Sequence, residues 1–151
     1  METIEKIIER DYAAGMILDP NNNILLQRKD KGYIFWPNYW CTFGGGIRPE
    51  ENPKETLIRE IEEENELELF DIELFKSQPF VDCSKFGEPI KRKGIVHYFS
   101  AKFDGNLKNI KIGEGAGFSI FDREELIRYN KFGLIIPYNY EIIDRFYESL
   151  K

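Results

Sequence analysis

Apolar runs of strand length occupy Asp11 to Leu18 and Ile24 to Arg28, and the turn formers Asp19-Pro20-Asn21-Asn22-Asn23 lie between them. That order predicts an antiparallel hairpin. An aromatic-rich loop, Lys29 to Tyr39, leads to a short extended piece, Trp40 to Phe43, and then to Gly44-Gly45-Gly46. From Pro53 to about Glu66 the apolar spacing becomes helical, with Leu57, Ile58 and Ile61 forming one stripe. The start of this helix is well marked: Asn52 can cap it, Pro53 suits its first position, and Glu55 stands where a capping-box partner belongs. Glu68 to Phe80 and Ile95 to Phe103 are predicted strands joined by a turn around Phe86-Gly87-Glu88-Pro89, and Ile120-Phe121 ends another. Asp122 caps a predicted helix from Arg123 to Tyr129, and Tyr140, Ile143, Phe146, Tyr147 and Leu150 make a terminal amphipathic helix.

The 151 residues fit one domain, 1–151, with 42% hydrophobic and 32% charged residues, a profile of an ordered globule. A formal charge of −6 argues against binding a nucleic-acid polymer, because neutralising a phosphate backbone requires a basic surface. Any phosphate chemistry must therefore recruit cations. Cys41 and Cys83 have neither zinc-site nor disulfide-framework spacing, no run reaches the roughly 18 apolar residues of a membrane span, and the chain is read as cytoplasmic. With His97 as the single histidine, carboxylates are left to carry any chemistry.

Glu60, Glu63 and Glu64 fall at i, i+3 and i+4, so they share one helix face beside the apolar stripe, at the rim of the core. Like charges this close repel unless a cation compensates, and oxygen donors at this spacing suit Mg²⁺ or Mn²⁺. The bland alternative is a solvated acidic face. Gly44-Gly45-Gly46, just upstream, tips the reading toward a site, because backbone without Cβ atoms can approach a metal or phosphate. Arg59 can pair with Glu55, Glu62 or Glu63.

Gly45, five residues, Glu51, seven residues, Arg59-Glu60-Ile61, one residue, Glu63-Glu64, one residue, Glu66, Leu67: this segment resembles the Nudix box, G-x5-E-x7-R-E-U-x-E-E-x-G-U with U aliphatic, at every fixed position but one. The departure is Glu66, where the pattern has the glycine of the helix exit; Phe43 also stands where proline often precedes the glycine pair. The resemblance implies an α/β (α+β) fold, the Nudix-type α/β/α sandwich with a mixed sheet. It implies Glu60, Glu63 and Glu64 as ligands of Mg²⁺ or Mn²⁺ with the Gly45 carbonyl beside them, and Arg59 and Glu51 as residues that orient the loop and ligands. Glu114 resembles a further glutamate of the MutT-type enzymes; it is either a functional residue or a loop charge. The reaction implied is hydrolysis of a diphosphate linkage, in which divalent ions neutralise the phosphate oxygens and acidify water, and Glu114 or a box glutamate takes the proton.

Substrate is less sharply written. Trp36 and Tyr39, in the loop before the box, offer faces for a base or simply cover the core edge. Asn139, in Ile136-Pro137-Tyr138-Asn139, resembles a base-reading asparagine of the MutT-type enzymes, or else caps the last helix. Lys91, Arg92 and Lys93 read as an exposed basic turn, with phosphate contact as the alternative, and His97 as a strand residue with a partner. The expected partner is a small nucleotide. No proline stands some fifteen residues beyond the box, as in many ADP-ribose hydrolases, and the tyrosine of dinucleoside polyphosphate enzymes is also missing. A nucleoside triphosphate pyrophosphohydrolase is therefore favoured over a nucleotide-sugar or ADP-ribose pyrophosphatase. A non-catalytic nucleotide sensor is disfavoured by the intact glutamates, and isoprenoid isomerase chemistry by the single histidine. Dimers are frequent among relatives, so a homodimer is compatible with the pattern.

Overall fold

A computed structural model of the chain describes residues 6–107 and 115–151. Its strands are β1 (Lys6–Glu9), β2 (Tyr12–Leu18), β3 (Ile24–Lys29), β4 (Trp40–Cys41), β5 (Phe43–Gly46), β6 (Phe70–Cys83), β7 (Ile90–Lys102) and β8 (Gly115–Phe121). Its helices are α1 (Pro53–Asn65), α2 (Arg123–Lys131) and α3 (Pro137–Ser149). The strands form one mixed sheet in the order β1-β7-β2-β3-β4, with β5 also on β2, β6 on β7 and β8 on β3. β7 runs parallel to β1 and β2, and the remaining pairings are antiparallel.

The sheet is covered on both faces because its central strand is apolar on both. Ala14, Met16 and Leu18 of β2 join a core closed by Leu126 of α2 and by Ile142, Ile143 and Phe146 of α3. Ala13 and Ile17, of the opposite parity, join a core closed by Leu57 and Ile61 of α1. The α/β/α sandwich expected from the sequence is thus the fold. Leu57 and Ile61 are fully buried, and each contributes roughly 1.5–3 kcal/mol by leaving water. Among the described residues, no helix is long and apolar enough to cross a membrane.

Local sequence fixes α1 at both ends. Asn52 Oδ1 accepts from the Glu55 N–H at 2.9 Å, and Glu55 Oε1 accepts from the Asn52 N–H at 3.2 Å, completing the predicted capping box with Pro53 in the first turn. At the far end Glu66 takes a left-handed conformation, φ 53°, and donates its N–H to the Glu62 carbonyl at 3.2 Å. This is the place where the box pattern has glycine, so a side chain occupies a backbone region that costs an L-residue about 1–2 kcal/mol.

Several boundaries differ from expectation. β1 was not foreseen; it is a short exposed strand whose partner, β7, is contributed from far along the chain. The β6 and β7 strands run further toward their hairpin than predicted, which takes Lys91, Arg92 and Lys93 out of the expected turn and into β7. Gly44, Gly45 and Gly46 are themselves strand residues, paired with Ala14, Ala13 and Tyr12. A Cβ at Gly44 would lie 2.2 Å from the Ala13 carbonyl oxygen, so glycine is required there by backbone approach.

If the Glu66 backbone is strained as its φ indicates, Glu66→Gly should raise unfolding stability by about 0.5–1 kcal/mol, while Glu66→Ala should not. A urea midpoint unchanged or lowered in the glycine variant would show that the left-handed exit carries no strain.

Candidate active site

The chemistry-bearing residues meet where the middle of α1 passes over β5. Arg59 reaches from the helix to the loop before it, where Nε and Nη2 donate to Glu51 Oε2 and Oε1 at 2.5 and 3.0 Å, a two-pronged clamp. Nη1 donates to Glu60 Oε1 at 2.9 Å and to Glu63 Oε2 at 3.4 Å, and Nη2 reaches the Gly46 carbonyl at 3.4 Å. One guanidinium thus ties loop, helix and strand together. Of the partners expected for Arg59, only Glu63 is one of them: Glu55 is engaged by the helix cap, and Glu51 and Glu60 take the stronger bonds.

Glu51 is further held by the Arg48 N–H at 3.1 Å and the Thr56 hydroxyl at 3.0 Å. The hydrogen bonds from Arg59 are the main reason that its carboxyl is held down to about 2, against an ordinary 4.5. The Arg59 guanidinium is stabilised in return, its pKa raised chiefly by Glu51. Glu60, 17% exposed, lies against β5, whereas Glu63, at 56%, stands in solvent.

Gly45 and Glu60 are in contact, since a Cβ on Gly45 would sit 2.3 Å from the Glu60 carboxyl carbon and 2.4 Å from Oε1. Any side chain at position 45 would displace that carboxylate. Among the described residues, which exclude Glu114 and the side chain of Glu64, no three carboxylate, imidazole or thiol groups converge on one point. The donors that are described, the Glu60 and Glu63 carboxylates with backbone oxygens of the glycine strand, are all hard oxygen and match a small divalent cation.

From Gly45 and Glu60 a cavity of about 400 Å³ extends across the sheet to the aromatic loop. Trp36 lines it; Tyr39 is not among its lining residues and packs edge-on against Trp36 at 5.1 Å between ring centroids. Asn139 lines it too, but does not cap α3, whose cap position is Ile136. Buried within the helix, Asn139 accepts at Oδ1 from the Thr42 N–H at 3.1 Å and the Thr42 hydroxyl at 3.4 Å, and donates from Nδ2 to the Tyr98 hydroxyl at 3.1 Å.

The sequence reading missed a buried ion pair at the cavity's aromatic end. Asp82, with a fully buried side chain, accepts from Trp36 Nε1 at 2.9 Å, from Arg92 Nη2 at 2.5 Å and from the Tyr138 hydroxyl at 2.9 Å. Arg92 lies over the Phe35 ring at 4.2 Å. Burial disfavours the Arg92 charge, but Asp82 outweighs it and holds the pKa above the ordinary value. Burial, and then the Asp82 charge, raise that of Tyr138, which stays a hydroxyl donor. The expected basic turn is corrected accordingly: in a strand successive side chains alternate, so Lys93 reaches out to Glu9 at 3.3 Å while Arg92 turns in. Asp82 and Arg92 are direct neighbours across the β6/β7 hairpin, a register that the shorter predicted strands did not contain. His97, as expected, has a strand partner, with Nδ1 2.7 Å from the Ser77 hydroxyl.

A family model described as NUDIX domain matches residues 9–146. The chain belongs to the NUDIX family. Among solved structures, this NUDIX domain is similar to a MutT protein from Methanosarcina mazei Go1, at 20% identity and a TM-score of 0.72, covering 95% of this chain and 96% of that one. It is also similar to the NUDIX domain of NrtR from Shewanella oneidensis, complexed with ADP ribose, at 13% identity and a TM-score of 0.70, covering 95% and 90%. A curated relative, the dihydroneopterin triphosphate diphosphatase of Haemophilus influenzae, is 32% identical over 93 residues, 62% of this chain. The chain spans about half the length of that relative, 51%.

Because Glu51 is more acidic folded than unfolded, its contribution to stability is complete above pH 4.5 and is lost as pH falls from there toward 2. Glu51→Gln is expected to be less stable at neutral pH and to flatten the acid limb of a stability–pH curve in that window; parallel curves would remove the Arg59 clamp from the account. Gly44→Ala and Gly45→Ala should separate fold from chemistry. The first is expected to cost roughly 1–3 kcal/mol through its backbone clash, whereas the second displaces the movable Glu60 carboxylate and should lower activity more than stability. Equal effects of the two on the melting temperature would contradict this division.

Proposed function

We propose that this NUDIX domain is a Mg²⁺- or Mn²⁺-dependent pyrophosphohydrolase that acts on a nucleoside triphosphate or similar organic triphosphate and releases a monophosphate and pyrophosphate. The observation that carries the reading is the contact of Gly45 with the Glu60 carboxylate at the mouth of a cavity large enough for a nucleotide. The relative acting as a dihydroneopterin triphosphate diphosphatase supports the triphosphate class.

In this reading Glu60, Glu63 and Glu64, with the Gly45 carbonyl, hold the ion. When bound, a divalent cation supplies charge neutralisation for phosphate oxygens and lowers the pKa of water. Arg59 keeps Glu51, Glu60 and Glu63 in one array, and its fixed positive charge makes their crowding tolerable before any cation arrives. Arg10, whose guanidinium lies over Gly46, and Lys29 bring positive charge to the cavity wall, where an anionic chain of phosphates runs. Glu63, exposed and bonded to Arg59 only at 3.4 Å, is the described carboxylate best able to accept a proton from the attacking water. Glu114, outside the described residues, is the other candidate. The water oxygen bonds to phosphorus, one anhydride P–O bond breaks, and the electron pair leaves on the departing phosphate group.

Formation of nucleoside monophosphate from nucleoside triphosphates, nucleotide sugars and ADP-ribose, resolved by anion-exchange chromatography, should be greatest for the triphosphates and abolished by EDTA. Glu63→Gln should lower kcat by about 10²-fold or more and change stability by less than about 0.5 kcal/mol, as befits an exposed side chain. Wild-type turnover in that variant, or turnover without a divalent ion, overturns the proposal.

A further inference from the structure

The polar groups at the aromatic end of the cavity are unevenly occupied: nearly all their acceptors are engaged by the protein, and their donors are not. Asp82 accepts three hydrogen bonds and is fully buried, so it has no oxygen to offer a ligand. The Asn139 oxygen accepts twice from Thr42. Against these, Arg92 uses Nη2 for Asp82, while its Nε is buried with no acceptor. The Asn139 amide has a second N–H beyond the one given to Tyr98, and the Tyr98 oxygen, which accepts that bond, still carries its own hydrogen. Gln27, whose Nε2 donates to the Thr42 carbonyl at 3.4 Å, is the lining side chain that keeps an amide oxygen on offer.

A donor-rich wall calls for a ligand edge rich in acceptors, since a buried donor left unpaired is unfavourable. Arginine reads the keto oxygen and neighbouring ring nitrogen of guanine through two N–H donors, whereas adenine needs an acceptor for its amino group, the role an asparagine oxygen plays. Here the Asn139 oxygen is already engaged, and the Gln27 oxygen is a single acceptor set against the donors of Arg92, Asn139 and Tyr98. Resting on the reading of this cavity as a nucleotide site, we infer that Arg92, held in place by Asp82, selects substrates whose bicyclic base carries a keto oxygen beside a ring-nitrogen acceptor. The 6-oxopurines and keto-pteridines have that edge, and adenine does not. Phe35, already beneath the Arg92 guanidinium at 4.2 Å, sets the plane of its fork, and Trp36 and Tyr138 fix the carboxylate that orients it. Arg92 is thus a specificity-determining residue, remote from the box glutamates along the chain.

IMP and AMP test this directly, because they differ only at the 6-position and its neighbouring ring nitrogen. Calorimetric titration of the full chain in EDTA, which removes metal from the comparison, should give IMP at least about tenfold tighter than AMP, the scale of one bidentate arginine contact. Arg92→Lys keeps the charge beside Asp82 and loses the fork, and should bring the ratio below about threefold on the same basis. Should that variant fail to fold, Tyr138→Phe removes a hydrogen bond from the Asp82 oxygen that also holds Arg92, loosens the orientation of the fork, and should also narrow the ratio. Equal affinity of the wild type for the two nucleotides, binding of neither, or a preference untouched by the folded variants overturns the inference. Turnover does not enter this measurement. An IMP preference in a protein that hydrolyses no triphosphate would leave the inference standing and dismiss the proposed activity.

Discussion

Carboxylates set side by side on one edge of a helix repel each other, and the arrangement at α1 persists because Arg59 stands among them. Its guanidinium bonds Glu51 through two nitrogens, Glu60 through a third contact, and Glu63 more loosely. These bonds differ in what they do. The short pair to Glu51 joins the helix to the loop that precedes it and has a structural character, visible in the acidity of that carboxyl. The longer one to Glu63 leaves an exposed carboxylate that can change partners. A single cation therefore divides the acidic residues into one that holds the scaffold and one left exposed to solvent.

The clamp would have nothing to organise without close approach between α1 and the sheet. Leu57 and Ile61, both fully buried, press the helix onto β2, and Gly15 of that strand has space only for hydrogen: a Cβ there would come within 2.9 Å of Leu57. Beside it, β5 lacks side chains at Gly44, Gly45 and Gly46, so the strand can lie against Ala13 on one side and receive the Glu60 carboxylate on the other. Packing and chemistry share one cause here, the removal of Cβ atoms from a strand that passes beneath a helix.

What could be read in advance was what local sequence determines. The capping box of α1, its proline and its apolar stripe lie within fourteen positions, and each agreed with the others, so the helix and its acidic edge were legible to within a residue or so. The layered fold followed from the resemblance carried by that segment. Asp82 was not legible, because nothing near it in sequence marks a buried carboxylate; its meaning comes from register, which sets it across from Arg92, and from Trp36 and Tyr138 arriving from distant loops and helices. Taken alone, Lys91-Arg92-Lys93 is a basic run, and only strand alternation separates the inward arginine from its outward neighbours. β1 escaped for a similar reason, since its short, exposed residues are ordered by a partner more than eighty positions away.

The two ends of the cavity solve the problem of charge in opposite ways, and this bears on how the site can evolve. At the box end the Glu63 carboxylate is exposed and its bond to Arg59 is long, so that one partner is exchangeable while Glu51 stays clamped. At the aromatic end the balancing pair is buried and closed upon itself, with every Asp82 oxygen occupied and Arg92 laid on a ring. A buried pair of that kind is strongly destabilised when one partner is lost, by roughly 3–5 kcal/mol, so it resists gradual change, whereas exposed glutamates and the aromatic loop tolerate it. Divergence of substrate preference in a protein built this way should therefore proceed by replacing Asp82 and Arg92 together, or by altering the rings around them, rather than by exchanging either member of the pair alone.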